Sequence, residues 1–120
     1  MNKGNYGFPK NRTAATAPYK VYTALLTQTS TNPPTAIVLE NTIGNIWFTY
    51  EGVGNYNAKS DSLFTENKTS VLLTTSGFAD DYIVRGAQND NNTIVITNNF
   101  FDGTPIDSLY KTTIEIRVYN

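Results

Sequence analysis

Close to its end the chain reads "TTIEIRVYN", and the alternation there is strict. Ile114, Ile116 and Val118 occupy every second position, with Glu115, Arg117 and Tyr119 between them. Successive side chains of an extended chain point to opposite faces, so this spacing gives one apolar face and one polar face. A helix of the same residues would scatter the apolar groups around its circumference. The segment is therefore a half-buried strand, and nowhere does the chain offer ten residues with the spacing of an amphipathic helix.

The other extended segments follow in order. "YKVYTALLTQ" (Tyr19 to Gln28) is dense in strand-forming residues, and Pro33-Pro34 closes any regular element after it. "TAIVLEN" (Thr35 to Asn41) is a short apolar run expected to be a buried strand. Gly44-Asn45 turns the chain into "IWFTYE", where Ile46, Phe48 and Tyr50 share one face and Trp47, Thr49 and Glu51 the other. Gly52 and Gly54 precede a short candidate strand, "YNAKS". "KTSVLLTTS", "DYIVRGA" and "NTIVITNN" come next, the last two joined through the polar turn cluster "QNDNN". "FFDGTPID" supplies an Asp-Gly turn. Seven or eight strands and no helix predict an all-β fold: one antiparallel β-sandwich, jelly-roll-like, with an immunoglobulin-like sandwich as the alternative.

At 120 residues the chain is expected to hold one such domain, residues 19–120, preceded by an extended arm of residues 1–18. The arm, "MNKGNYGFPKNRTAATAP", has almost no aliphatic content and no core of its own to bury. Charge is also unevenly divided: residues 1–39 carry four bases and no acid, while residues 40–120 carry five bases and ten acids. A basic arm docking on the acidic surface of a neighbour follows from this, with Tyr6, Phe8 and Pro9 as anchors and Lys3, Lys10 and Arg12 as charge partners. Four bases over twenty residues are too sparse for a nucleic-acid tail, so no nucleic-acid partner is expected.

The stretch "YKVYTALLTQTSTNPPTAIVLENTIGNI" (Tyr19 to Ile46) resembles the opening of small β domains encoded among the structural genes of tailed bacteriophages, which join a Y-K-V-Y-T-A-L-L-T-Q strand to a V-L-E-N-T-(I/L)-G segment. The likeness covers about a quarter of the chain and returns more loosely in "TTIEIRVYN". It implies a virion component, with the major capsid protein or other virion proteins as partners. It implies no catalytic residue.

Catalytic and metal chemistry find few candidates. The chain has no Cys and no His, which removes thiolate nucleophiles, the usual general base near neutral pH and the commonest metal ligand. Asp80-Asp81 is the most visible carboxylate doublet, but neighbours on a strand diverge, and a turn is the expected reading. "NDNN" (Asn89 to Asn92) offers oxygens of the kind calcium accepts, yet lacks the spaced acids and Gly of an EF-hand loop, so Asp90 is assigned to a turn. Trp47, Tyr50 and Tyr56 lie close in sequence and make the candidate ligand-facing aromatics of a carbohydrate platform; core or subunit contacts are the commoner use. Asn-x-Thr occurs at Asn11, Asn67 and Asn91, and without a secretory leader these sequons are incidental. No catalytic residue, metal site or cofactor is expected, and no apolar stretch is long enough to span a membrane.

Together these readings predict a capsid decoration or cement protein, assembled in the host cytoplasm and resident in the virion, that meets copies of itself as a homotrimer or, second, a homodimer. The alternative expectation is a receptor-binding, carbohydrate-binding domain of a tail or head fibre.

Overall fold

A computed structural model of the chain describes residues 17–74 and 82–120. The arm residues Lys3, Tyr6, Phe8, Pro9, Lys10 and Arg12, the sequon at Asn11 and the Asp80-Asp81 doublet lie outside the described residues. Eight strands run β1 (Tyr19–Gln28), β2 (Thr35–Asn41), β3 (Trp47–Gly52), β4 (Asn55–Lys59), β5 (Thr69–Leu73), β6 (Tyr82–Asp90), β7 (Thr93–Phe100) and β8 (Leu109–Tyr119). They form two four-stranded sheets, ordered β2-β1-β8-β5 and β3-β4-β7-β6, and every pairing is antiparallel. No helix occurs among the described residues.

The period-two pattern decides what each central strand buries. Ile114 and Ile116 of β8 have no exposed surface and Val118 almost none, while Glu115 and Arg117 face outward, joined by an ion pair at 2.7 Å. Tyr22, Ala24 and Leu26 of β1 meet them on the same face, in a register that sets Tyr22 opposite Ile116 and Ala24 opposite Ile114. The second sheet contributes Tyr56 and Ala58 from β4 and Ile94 and Ile96 from β7, again at alternate positions. Phe64, from the connection between β4 and β5, is fully buried with them. Each aliphatic side chain taken wholly out of water in this way contributes about 1.5 to 3 kcal/mol.

The sandwich closes along one side, where β5 packs against β6. Gly86 makes that approach possible: a Cβ there would come within 2.5 Å of Leu73 Cδ1 and 2.8 Å of Val71 Cγ1. A side chain on β6 at this point would hold the two sheets apart. At the opposite end of each sheet's order lie the edge strands β2 and β3.

β2 corrects one expectation. Its apolar run is not a buried strand: it is the edge of the first sheet, and Ile37, Val38 and Leu39 are 58%, 50% and 59% exposed. A continuous apolar run suits a strand covered on both faces, but coverage depends on neighbours, and β2 has one strand beside it.

Candidate functional site

The candidate ligand-facing aromatics do not form a shared surface. Tyr50 and Tyr56 are cross-strand partners of β3 and β4, their ring centroids 6.0 Å apart, and both point inward. Tyr56 has no exposed surface, so it cannot stack on a ligand. Trp47 lies on the other face of β3, as its odd position requires, and is 39% exposed.

Tyr50 and Tyr56 instead belong to a polar latch that the sequence did not announce. The Tyr50 hydroxyl donates to Asp107 Oδ2 at 2.7 Å, and the Gly54 N–H donates to Asp107 Oδ1 at 2.7 Å. The Tyr56 hydroxyl lies 2.7 Å from Gln28 Oε1 and 3.1 Å from Asp107 Oδ1. Gln28 Nε2 donates to the Ser30 and Asn32 carbonyls, so its Oε1 is the end turned toward Tyr56. Burial acts to raise the Asp107 carboxyl, but the hydrogen bonds from Gly54, Tyr50 and Tyr56 outweigh it and hold the group below its ordinary value. The same contacts act oppositely on the phenols: burial, then the Asp107 contact, pushes Tyr56 well above its ordinary value.

The latch fastens the loop before β8 to the β3–β4 turn. Gly54 sits at its centre with φ +64°, and a Cβ there would fall onto the Asn98 carbonyl oxygen and within 2.8 Å of Ile106 N. The groups in this latch satisfy one another, which is the arrangement of a structural network rather than of a reactive centre.

The Asn-rich hairpin between β6 and β7 is likewise self-satisfied. Asp90 Oδ1 accepts from Asn92 N at 2.8 Å, Asn91 Oδ1 from Glu66 N at 3.1 Å, and Asn92 Oδ1 from Ser62 N at 2.7 Å. These oxygens hold the turn and pin it to the connection after β4. Among the described residues no three His, Cys, Asp or Glu side chains group as a metal site would require.

The edge of β2 is open. Its register with β1 pairs Thr27 with Thr35, Leu25 with Ile37, Ala24 with Val38 and Thr23 with Glu40, so Leu39 is a one-residue bulge. Ile37 therefore lies on the outer face beside Leu25, and Val38 on the inner face beside Ala24. Among the described residues no second strand pairs with β2, whose outer row of N–H and C=O groups is open. Natural edges are usually blunted with Lys, Pro or inward charges. Here Pro34 precedes the strand and Glu40 is its only charge. Three large exposed apolar side chains thus stand on an unpaired main-chain edge, the two features that strand addition uses. Sequence reasoning singled out the run but gave it the wrong surroundings. The chain matches no protein-family model, no curated protein and no solved structure.

Proposed function

We propose that the chain is a structural protein of a bacteriophage particle, a decoration or cement subunit of the capsid that works by adhering to its neighbours. The observation that carries the reading is the open, apolar edge of β2. The resemblance adds the particle: its two quoted segments are β1 and the end of β2 with the turn after it, and they are bound to each other. Tyr22 pairs with Asn41, and Val21 N donates to Thr42 Oγ1 at 2.8 Å. What looks like two motifs is thus one hairpin, which is a coherent unit to share with other virion β domains. The pairing of the first strand with the last, β1 with β8, supports a jelly-roll-like sandwich over an immunoglobulin-like one. Partners under this reading are the major capsid protein and copies of the chain itself, with a homotrimer favoured over a homodimer.

The alternative, a carbohydrate-binding fibre domain, drew on Trp47, Tyr50 and Tyr56, and these three side chains share no face. The test is mass spectrometry of purified particles from cells that make the protein, with image reconstruction to place it. The expected result is the chain at a symmetric copy number on the shell. Its absence from particles, or its presence only at fibre tips with loss of host binding on Trp47→Ala, overturns the proposal.

A further inference from the structure

We propose that the open edge of β2 receives residues 3–8 of a second copy of this chain as an added antiparallel strand. The inference rests on the reading of the chain as an assembly protein and names the surface and the segment that do the assembling.

The first argument is register. Tyr6 and Phe8 stand two positions apart, so an extended segment carries both on one face. Setting Tyr6 opposite Ile37 in antiparallel sense places Phe8 opposite Thr35, both on the outer face where Ile37 adjoins Leu25. The same register brings Asn5 opposite Val38, on the inner face beside Ala24. At the other end Pro9 comes level with Pro34. Neither has an N–H, so pairing stops where both chains lose the donor. One alignment thus satisfies the apolar pair and the stop together.

The second argument is where the segment joins the fold. The chain enters β1 through Ala17 and Pro18, whose carbonyls accept from Asn120 Nδ2 at 3.1 Å and Asn120 N at 3.0 Å. An added strand antiparallel to β2 runs in the same direction as β1, which leaves Phe8 level with Thr27, at the far end of β1 from Pro18. Returning from there to Pro18 means covering nine ladder positions and two strand spacings, about 31 Å, with ten peptide steps that reach at most about 33 to 36 Å. The molecule's own segment would have to be drawn almost straight back across the sheet. A neighbour's segment carries no such restraint, and the unbalanced charge, basic before residue 39 and acidic after it, favours contact between copies.

The chain has no cysteine, so introduced thiols report without background. Full-length chains carrying Asn5→Cys, isotopically labelled, are mixed with unlabelled chains carrying Val38→Cys in a glutathione redox buffer, and intact mass follows the mixed disulfide. Leu72→Cys, at an exposed position on β5, serves as the comparison. The 5–38 disulfide is expected to form at least about tenfold faster than the 5–72 disulfide, and to lose most of that advantage when Tyr6→Ala and Phe8→Ala are added. Equal rates overturn the proposal. So does a Val38→Cys chain that dimerises with itself faster than with the 5-position thiol, which would make β2 of the second copy the occupant. A doubly substituted chain that closes on itself at high dilution also overturns it, by assigning the edge to the molecule's own segment. If the chain is found on particles while the 5–38 pair fails to form, this inference falls and the proposed function stands. If the pair forms but the chain is absent from particles, the reverse holds.

Discussion

β8 and β2 are both rich in Ile, Val and Leu and belong to the same sheet, yet one buries a whole face and the other is the most exposed strand of the fold. β8 alternates, lies between β1 and β5, and hides Ile114 and Ile116 entirely. β2 has its apolar residues in an unbroken run, lies at the edge, and leaves three of them largely in water. Apolar content does not fix burial. The period says which face can be covered, and the neighbours decide whether it is.

The largest expected effect tests the β8 side of this contrast. Ile116→Ala should cost about 2 to 5 kcal/mol in urea denaturation, the range for a fully enclosed aliphatic side chain that leaves a cavity. A loss under about 1 kcal/mol would mean that the two sheets do not close over β8 as described.

An intermediate effect is expected where β8 begins. Asp107→Asn removes the charge that accepts from Gly54 and Tyr50, and should cost about 1 to 3 kcal/mol at pH 7. The pH dependence has a definite sign. Because the folded-state value lies below the ordinary 3.8, the ionised carboxylate stabilises the fold above that value, and the contribution is lost as pH falls through the depressed one. The gap between the two proteins should therefore narrow below about pH 4. A gap that stays constant to pH 2 would remove the charge from the explanation and leave only the shape of the side chain.

The smallest expected effect tests β2. Ile37→Ala should change the stability of the isolated chain by no more than about 0.5 kcal/mol, as at an ordinary exposed site, while weakening association between copies. A destabilisation matching that of Ile116→Ala would show β2 covered within a single chain and would erase the contrast.

The alternating strands were legible in the sequence because each carries its own evidence. Ile114, Ile116 and Val118 declare their face without reference to any partner, and Ile94 and Ile96 do the same. Turn chemistry was equally local. Asn91 and Asn92 close the β6–β7 hairpin, and the Asp102-Gly103 turn has Gly103 at φ +94°. β2 was misread because an unbroken apolar run specifies two apolar faces but not what lies against them. The Asp107 latch left no trace in the sequence for a related reason: Gln28, the Gly54–Tyr56 hairpin segment and Asp107 come from three separated places, and only the folded sheets bring them within 3.1 Å. Trp47 shows the limit of residue type as a guide, since its position on the outer face of an edge strand leaves a large indole 39% exposed.

The pairing of β1 with β8 also governs the order of events on the ribosome. Tyr22 meets Ile116, and Tyr19 meets Tyr119, so one of the two central strands of the first sheet emerges after the other seven described strands. Until then the main-chain row of β1 that pairs with β8 is open. Closing so long a loop is slow compared with local pairing. For that interval the nascent chain carries two open main-chain rows, one of which the finished sheet closes and one of which it keeps.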